Sequence, residues 1–326
     1  MRNSENSVPN SLSTRVLRKC KFAYNRVLPN TEHFLRKTIK INKHRDYIME
    51  TNRDWWGGNN DDHCKNGLGI CVDTIFSRDS SEEQFRCCSR WQRRLTNKLN
   101  AREFAIKYGV PVPKLYWYGK DVTDIPFNTI GPKYVIKTSF GASSKDVLVI
   151  VDGLNLFDNK PYDEEKIREF FRGKMQKVEP FGYVMIEEFI ESGARNEIAK
   201  DYKCHLFGGA VHFIQVIVDR INKLDNWYTR EWEEMPQEMD SIMKRGKGVN
   251  RPTYLNELIS YAEKLGKAYG RKYVRIDFYI TEEGCVFGEF TATPGGGFGE
   301  SWYGNRTFGR LWKTICDVVF LFAKLM

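Results

Sequence analysis

Residues 273–297 read YVRIDFYITEEGCVFGEFTATPGGG, and they limit what this chain can fold into more than any other stretch. Two runs rich in strand-forming apolar residues flank the turn signal Glu282-Glu283-Gly284, the pattern of an antiparallel hairpin. Each run carries one carboxylate near its middle, Asp277 in the first and Glu289 in the second. Pairing the runs brings the two carboxylates close together on a sheet. Burying such a pair without compensation costs too much, so the hairpin is expected to hold positive charge between them.

Around that hairpin the chain has the means to build a core. It has 326 residues, 41% of them hydrophobic and 14% aromatic, which marks it as globular with room for two or three lobes. The longest purely apolar run, Val318 to Ala323, is far short of the roughly 18 residues that span a bilayer. The opening MRNSENSVPNSLST has no apolar signal core, so a soluble, cytoplasmic protein without a membrane span is expected. The net charge is +9, and residues 1–95 hold 18 Lys and Arg against 11 Asp and Glu, which places +7 of it in the first third. That distribution reads as a solvated basic surface or as a contact for an acidic partner such as an anionic glycan, a lipid headgroup or nucleic acid, with nucleic acid the less expected partner of the chain. Eight cysteines include the cluster His63, Cys64, Cys71, Cys87 and Cys88, which lacks the paired C-x-x-C spacing of a zinc site. Reduced thiols are therefore expected, with Cys204 and Cys285 buried in apolar strands.

Periodicity divides the chain near residue 95. Residues 1–95 are polar, basic and without a clean period, which suggests short helices and loops. Beyond them Ala101, Phe104, Ala105 and Tyr108 recur at helical spacing, and GVPVPKLYWYG closes that helix and opens a strand. Strand-like runs follow at 134–138, 147–151, 183–189, 211–218, 274–280 and 286–290, with helical patterns at about 163–175 and 253–270. Hairpins mixed with helices in this order predict an α+β fold with antiparallel sheets.

Neither G-x-x-x-x-G-K-[ST] nor a strand-bound G-x-G-x-x-G is present, so any nucleotide site needs another device. The stretch YVIKTSFGASSKDVLVI supplies one: Lys137 ends a strand, and the small residues after it, including Ser139 and Gly141, leave backbone N–H groups able to wrap phosphate oxygens. Asp277 and Glu289 suit Mg²⁺, which takes one or two protein carboxylates and fills its shell with phosphate oxygens and water. Thr291, two residues after Glu289, shares its strand face and offers a neutral oxygen. The same carboxylates would equally satisfy a structural pairing with Arg275. The strand YVMIEEFI ends on Glu187-Glu188, where a hinge between lobes could offer backbone groups to an adenine edge.

In this order the elements resemble the ATP-grasp superfamily, and within it the branch associated with teichuronopeptide and related surface-polymer biosynthesis. The strings DYKCHLFGGAVHFIQVIVDR at 201–220, WYTREWEEMP and VRIDFYITEEGCVFGEFTATPGGG carry the resemblance, which covers about residues 96–300. It implies an ATP-grasp fold, with a nucleotide-clasping lobe over about 131–192 and a metal- and substrate-binding lobe over 193–326, preceded by the basic region 1–95. It implies ATP and Mg²⁺, or Mn²⁺ in its place, as cofactors, and a carboxylate and an amine as co-substrates. By the resemblance Lys98 and Lys137 reach the α- and β-phosphates. Glu187 and the backbone after Glu188, at Phe189, read the adenine, and Glu191 takes the ribose. Lys203 is a further phosphate-side lysine, Arg275 holds the acyl-phosphate or substrate carboxylate, and Asp277, Glu289 and Thr291 hold the metal. Many members of the superfamily carry Asn where this chain has Thr291, which bears on a second metal ion. The implied reaction is amide formation through an acyl-phosphate. The alternatives are phosphoryl transfer to a sugar or polyol, and a non-catalytic module that binds a polyanion.

Overall fold

The computed structural model describes residues 75–86, 91–140, 146–175, 182–191, 198–235, 239–294, 301, 303–304 and 306–314. The cysteine cluster, Gly141 and the glycine-rich 295–300 lie outside the described residues.

Two mostly antiparallel sheets with helices against them form an α+β architecture, as the alternation of hairpin and helix patterns predicts. The smaller sheet contains β1 (Leu115–Gly119), β2 (Lys133–Thr138), β3 (Val147–Val151), β4 (Leu154–Asn155), β5 (Lys160–Pro161) and β6 (Val184–Glu188), in the order β1-β6-β2-β3-β4-β5. The larger contains β7 (Asp201–Phe207), β8 (Ala210–Asp219), β9 (Leu224–Thr229), β10 (Lys244–Arg245), β11 (Tyr273–Ile280) and β12 (Cys285–Thr291), in the order β10-β9-β8-β7-β11-β12. Helix α1 spans Lys98–Lys107, α2 Glu164–Met175 and α3 Leu255–Tyr269.

Each sheet buries one face beneath a helix. On α3, Leu255, Leu258, Ile259, Ala262, Leu265 and Tyr269 fall at three- and four-residue intervals, so they share one stripe. That stripe packs on Tyr202, Cys204, Leu206, Ile214, Val216, Val274, Ile276 and Phe278, the alternate residues of β7, β8 and β11. Because side chains alternate across a strand, Asp201, Lys203, His205, Arg275 and Asp277 are sent to the opposite face. On α2, Ile167, Phe171 and Met175 cover Ile136, Leu148, Ile150, Val184 and Ile186, which leaves Val135, Lys137, Met185 and Glu187 on the other face of the small sheet. The large core also takes Phe76, Phe85, Trp91 and Leu95, which lie ahead of α1, and Phe104 of α1 meets Phe290 edge-on at 5.8 Å. Cys204 and Cys285 are buried free thiols, as expected of small residues in apolar strands.

The hairpin forms as the turn signal predicts. Asp277 lies opposite Glu289, and Thr281 N–H donates to the Gly284 carbonyl at 2.9 Å across the turn. Gly284 has φ +140°, a conformation open to glycine, and Cys285 N–H next to it donates to Glu257 Oε1 of α3 at 2.7 Å. The register shifts once, between Asp277 and Phe278, where Gly288 is the extra residue of a bulge. A Cβ at Gly288 would lie 3.0 Å from the Asp277 carbonyl oxygen, so only glycine lets β12 close on β11 beside the carboxylates. Strands β7 and β9 escaped the periodicity. Their residues are buried on both faces or carry polar groups on the site face, so no alternation marks them.

Gly288→Val should force the bulge apart and lower stability by about 1–3 kcal/mol. The denaturant midpoint at constant slope measures it, and an unchanged midpoint would mean that the bulge tolerates a side chain.

Candidate active site

The face of the large sheet left uncovered by α3 carries one charged row. Glu289, Asp277, Lys203 and Gln215 stand opposite one another across β12, β11, β7 and β8. Arg275 is two residues from Asp277 and so on the same face, with Nε 2.6 Å from Asp277 Oδ1 and Nη2 2.8 Å from Oδ2. Lys203 Nζ donates to Asp277 Oδ2 as well. Arg275 Nη2 also donates to Thr291 Oγ1 at 2.9 Å and stands 3.6 Å from Glu289 Oε1. The positive charge expected between the carboxylates is therefore Arg275. Burial opposes ionisation of Asp277, but Arg275 and Lys203 outweigh it and hold the carboxyl at about 2.

The small sheet and α1 bring two more lysines. Lys98 sits in the first turn of α1, where Asn97 caps the helix by accepting from Leu99 N–H at 2.9 Å. Its backbone N–H donates to the Ser139 carbonyl at 2.9 Å, which joins α1 to the turn after β2. Its Nζ reaches 3.8 Å from Glu289 Oε2. Burial lowers the Lys98 pKa and Lys137 lowers it further, against the pull of Glu289 and Glu187. Lys137 of β2 bonds the buried Glu187 of β6. Two lysines from different elements thus stand close enough to repel each other, Lys98 facing Glu289 and Lys137 paired with Glu187, an arrangement that an anion between them would relieve.

Other residues read from the sequence take plainer places. The Glu187 side chain is tied to Lys137, which leaves any hinge contact there to the backbone. Glu188 N–H donates to the Lys114 carbonyl at 2.8 Å and is therefore already engaged. Ser139 is buried and engaged: its N–H donates to the Tyr183 carbonyl at 2.8 Å, and its Oγ accepts from Tyr183 N–H at 3.1 Å. Glu191 pairs with Lys133. Phe189 joins Val149 and Val151 in a small apolar cluster, flanked by Val135, Val147, Leu156, Phe157 and Ile198. This wall on the site face of the small sheet escaped the sequence reading because strand valines look the same on either face.

Arg220 was also missed. It directly follows β8, bonds the buried Asp201 at the edge of the charged row, and holds its guanidinium 6.0 Å from the Phe157 ring of the small lobe. Asp277 and Glu289 add to the negative field around it. The only signal in the sequence was an arginine closing an apolar strand, which is ordinary for a surface residue. His205, opposite Arg275, packs on Trp227 and Phe308 with Nδ1 2.9 Å from the Tyr273 hydroxyl, and burial pushes its imidazole well below the usual range.

Among the described residues no three His, Cys, Asp or Glu side chains gather to bind a metal by themselves. Asp277 and Glu289 still suit a hard cation shared with phosphate oxygens, since two facing carboxylates meet the protein's part of such a shell. Glu289 is 39% exposed and only loosely paired, while Asp277 would have to give up a contact with Arg275 or Lys203.

The TupA-like ATP-grasp family model matches residues 92–309. The chain belongs to the TupA-like ATP-grasp family. The match spans α1, both sheets and every site residue above. Solved structures are similar at a distance. D-alanine–D-alanine ligase from Bacillus anthracis is 15% identical, with 72% of this chain and 70% of that chain covered and a TM-score of 0.46. A RimK-domain ATP-grasp protein from Sphaerobacter thermophilus is 13% identical, with 69% and 68% covered and a TM-score of 0.43. N5-carboxyaminoimidazole synthetase from Staphylococcus aureus, complexed with ADP, is 16% identical, with 68% and 53% covered and a TM-score of 0.41. The chain spans 55% of a further Bacillus anthracis D-alanine–D-alanine ligase chain, complexed with ATP, so these whole proteins exceed what is matched here. No curated protein matches the sequence.

The depressed Asp277 pKa fixes the sign of a pH effect. Its stabilisation is complete above the unfolded carboxyl value of about 3.9 and is lost as pH falls through about 2. Asp277→Asn should flatten the acid limb of the stability–pH curve between those values. At neutral pH it should cost about 3–5 kcal/mol, because Arg275 and Lys203 lose their counter-charge. Chemical denaturation across pH measures both effects, and a parallel acid limb in the variant would show that other carboxyls govern it.

Proposed function

We propose that this chain is an ATP- and Mg²⁺-dependent carboxylate–amine ligase that forms an amide through an acyl-phosphate. Membership of the ATP-grasp family supports ATP-dependent ligation in general terms. The observation that carries the specific reading is the convergence of Lys98, Lys203 and Arg275 on Asp277 and Glu289, with Lys137, paired to Glu187, close enough to Lys98 to lower its pKa. Residues 96–326 would carry the chemistry, with 131–192 as the nucleotide-clasping lobe and 193–326 as the metal and substrate lobe.

In this reading the apolar wall of Val135, Val149 and Phe189 takes the adenine, with backbone groups after Glu188 reading its edge and Glu191 beside the ribose. Lys98 and Lys137 exchange part of their carboxylate pairing for the α- and β-phosphates. Asp277 and Glu289, with Thr291 next to them, would hold Mg²⁺, or Mn²⁺ in its place. The ion supplies charge neutralisation of the phosphates. A substrate carboxylate oxygen attacks the γ-phosphorus and the bond to the β-phosphate oxygen breaks, releasing ADP. An amine nitrogen then attacks the acyl carbon, phosphate leaves with the C–O electron pair, and the nitrogen loses a proton. Arg275 and Lys203 stabilise the developing negative charge, and closure of the two lobes keeps water from the acyl-phosphate. The substrate pair that fits the family's surface-polymer branch is an amino acid or amine joined to a carboxylate of a surface polysaccharide or peptide, made in the cytoplasm.

Calorimetry of Mg²⁺–ATP binding should show metal-dependent affinity in the parent. That affinity should fall about 10–100-fold in Lys137→Ala, the loss expected for a charge-assisted contact. With a substrate pair in hand, product mass should equal the sum of the two substrates less one water, and ADP should form one for one. A product one phosphate heavier than a single substrate would instead identify a kinase. Absence of ATP binding in the parent would remove both enzymatic readings.

A further inference from the structure

Ile221 is 77% exposed and Ile242 58% exposed, the highest values for large apolar side chains among the described residues. They are distant in sequence, but the edge pairing of the large sheet joins them. Strands β9 and β10 run parallel, with Lys244 opposite Leu224 and Arg245 opposite Asp225, and Lys244 N–H donates to the Lys223 carbonyl at 2.9 Å. Parallel pairing puts the segments entering both strands at the same end of the sheet. Ile221, three residues before Leu224, and Ile242, two before Lys244, therefore share one rim.

The rim is built to present those residues outward. Asp219 accepts from Asn222 N–H at 2.8 Å, and Asp240 accepts from Met243 N–H at 3.0 Å, so each turn bearing an isoleucine is held by a carboxylate bonded to its own backbone. Lys223 follows Ile221, and Lys244 follows Ile242, by two residues. Lys223, Lys244 and Lys247 are exposed and make no ion pair among the described residues, while Arg245 is tied to Glu234 at 3.4 Å. A lysine on an edge strand guards against edge-to-edge pairing, which accounts for Lys244 alone. It does not account for two isoleucines held in water beside three lysines that make no ion pair among the described residues, with Asp219 and Asp240 the carboxylates of the same turns. Apolar tips that enter the acyl boundary, ringed by lysines that meet anionic headgroups, are the chemistry of an interfacial anchor. A glycan or nucleic acid would use the lysines and leave the isoleucines in water.

We propose that this rim docks the protein peripherally on an anionic lipid bilayer. The docked rim adjoins the charged row of the large sheet, since Arg220 on Asp201 directly precedes Ile221. The proposal does not depend on the catalytic reading. Its test is co-sedimentation of the full chain with vesicles of phosphatidylcholine alone and of equimolar phosphatidylcholine and phosphatidylglycerol, using the parent, Ile221→Ser/Ile242→Ser and Lys223→Glu/Lys244→Glu. All four positions are exposed, and thermal melts confirm that each variant folds. The parent should bind the anionic vesicles and leave the neutral ones, and each double variant should lose at least about tenfold in affinity. The isoleucine variant should keep the parent's retention on a heparin column. No binding by the parent to anionic vesicles would overturn the proposal. So would parental binding by both variants, which would move the contact to the basic residues 1–95. Loss in the lysine variant alone would mark a surface for soluble polyanions instead of a bilayer.

Discussion

Everything in the large lobe is arranged around one buried carboxylate. Asp277 lies buried in the middle of β11, takes three hydrogen bonds from Arg275 and Lys203, and would be untenable there without them. Its cations come from its own strand and from β7, so the pairing of β7 with β11 and the charge balance of the site are one interaction seen twice. The bulge at Gly288 then brings Glu289 alongside. Arg275 fills the gap between the two carboxylates, and the lysine side of the site must meet it there.

That meeting depends on backbone more than on side chains. The hydrogen bond from Lys98 N–H to the Ser139 carbonyl anchors the first turn of α1 to the end of β2. Lys98 is thereby held between Lys137 of the small lobe and Glu289 of the large one. The cost is a lysine buried among like and unlike charges, which polyphosphate would relieve. Arg220 and Phe157 form a second bridge between lobes, at the far side of the row. A nucleotide held between these bridges would touch both sheets, which is how two α+β lobes can close on one ligand.

The hairpin was legible because its turn residues and its apolar runs agree with each other at every level. The helix stripe of 255–269 was legible for the same reason, as was the strand bearing Lys137. Strands β7 and β9 were not, since residues buried on both faces lose the period of two that identifies a strand. Asp277, Glu289, Arg275 and Lys137 were named in advance because charge inside an apolar run, or beside a small-residue turn, is conspicuous in one dimension, whereas Lys98 was indicated only by the resemblance to the ATP-grasp superfamily. Arg220 and the valine wall were not, because an arginine at a strand end and a valine within one are commonplace until the neighbouring element is known.

By itself, then, the sequence determined the local elements, the α+β alternation and the charged residues that require compensation. These are consequences of spacing, turn chemistry and the cost of burying charge, all of which act along the chain. Only the tertiary structure decided which cation compensates which carboxylate. Arg275 takes both oxygens of Asp277, Glu187 is claimed by Lys137, and Ser139 serves as a structural tie. Those pairings depend on strand register and on a single bulge, and a shift of one residue would turn each side chain to the opposite face.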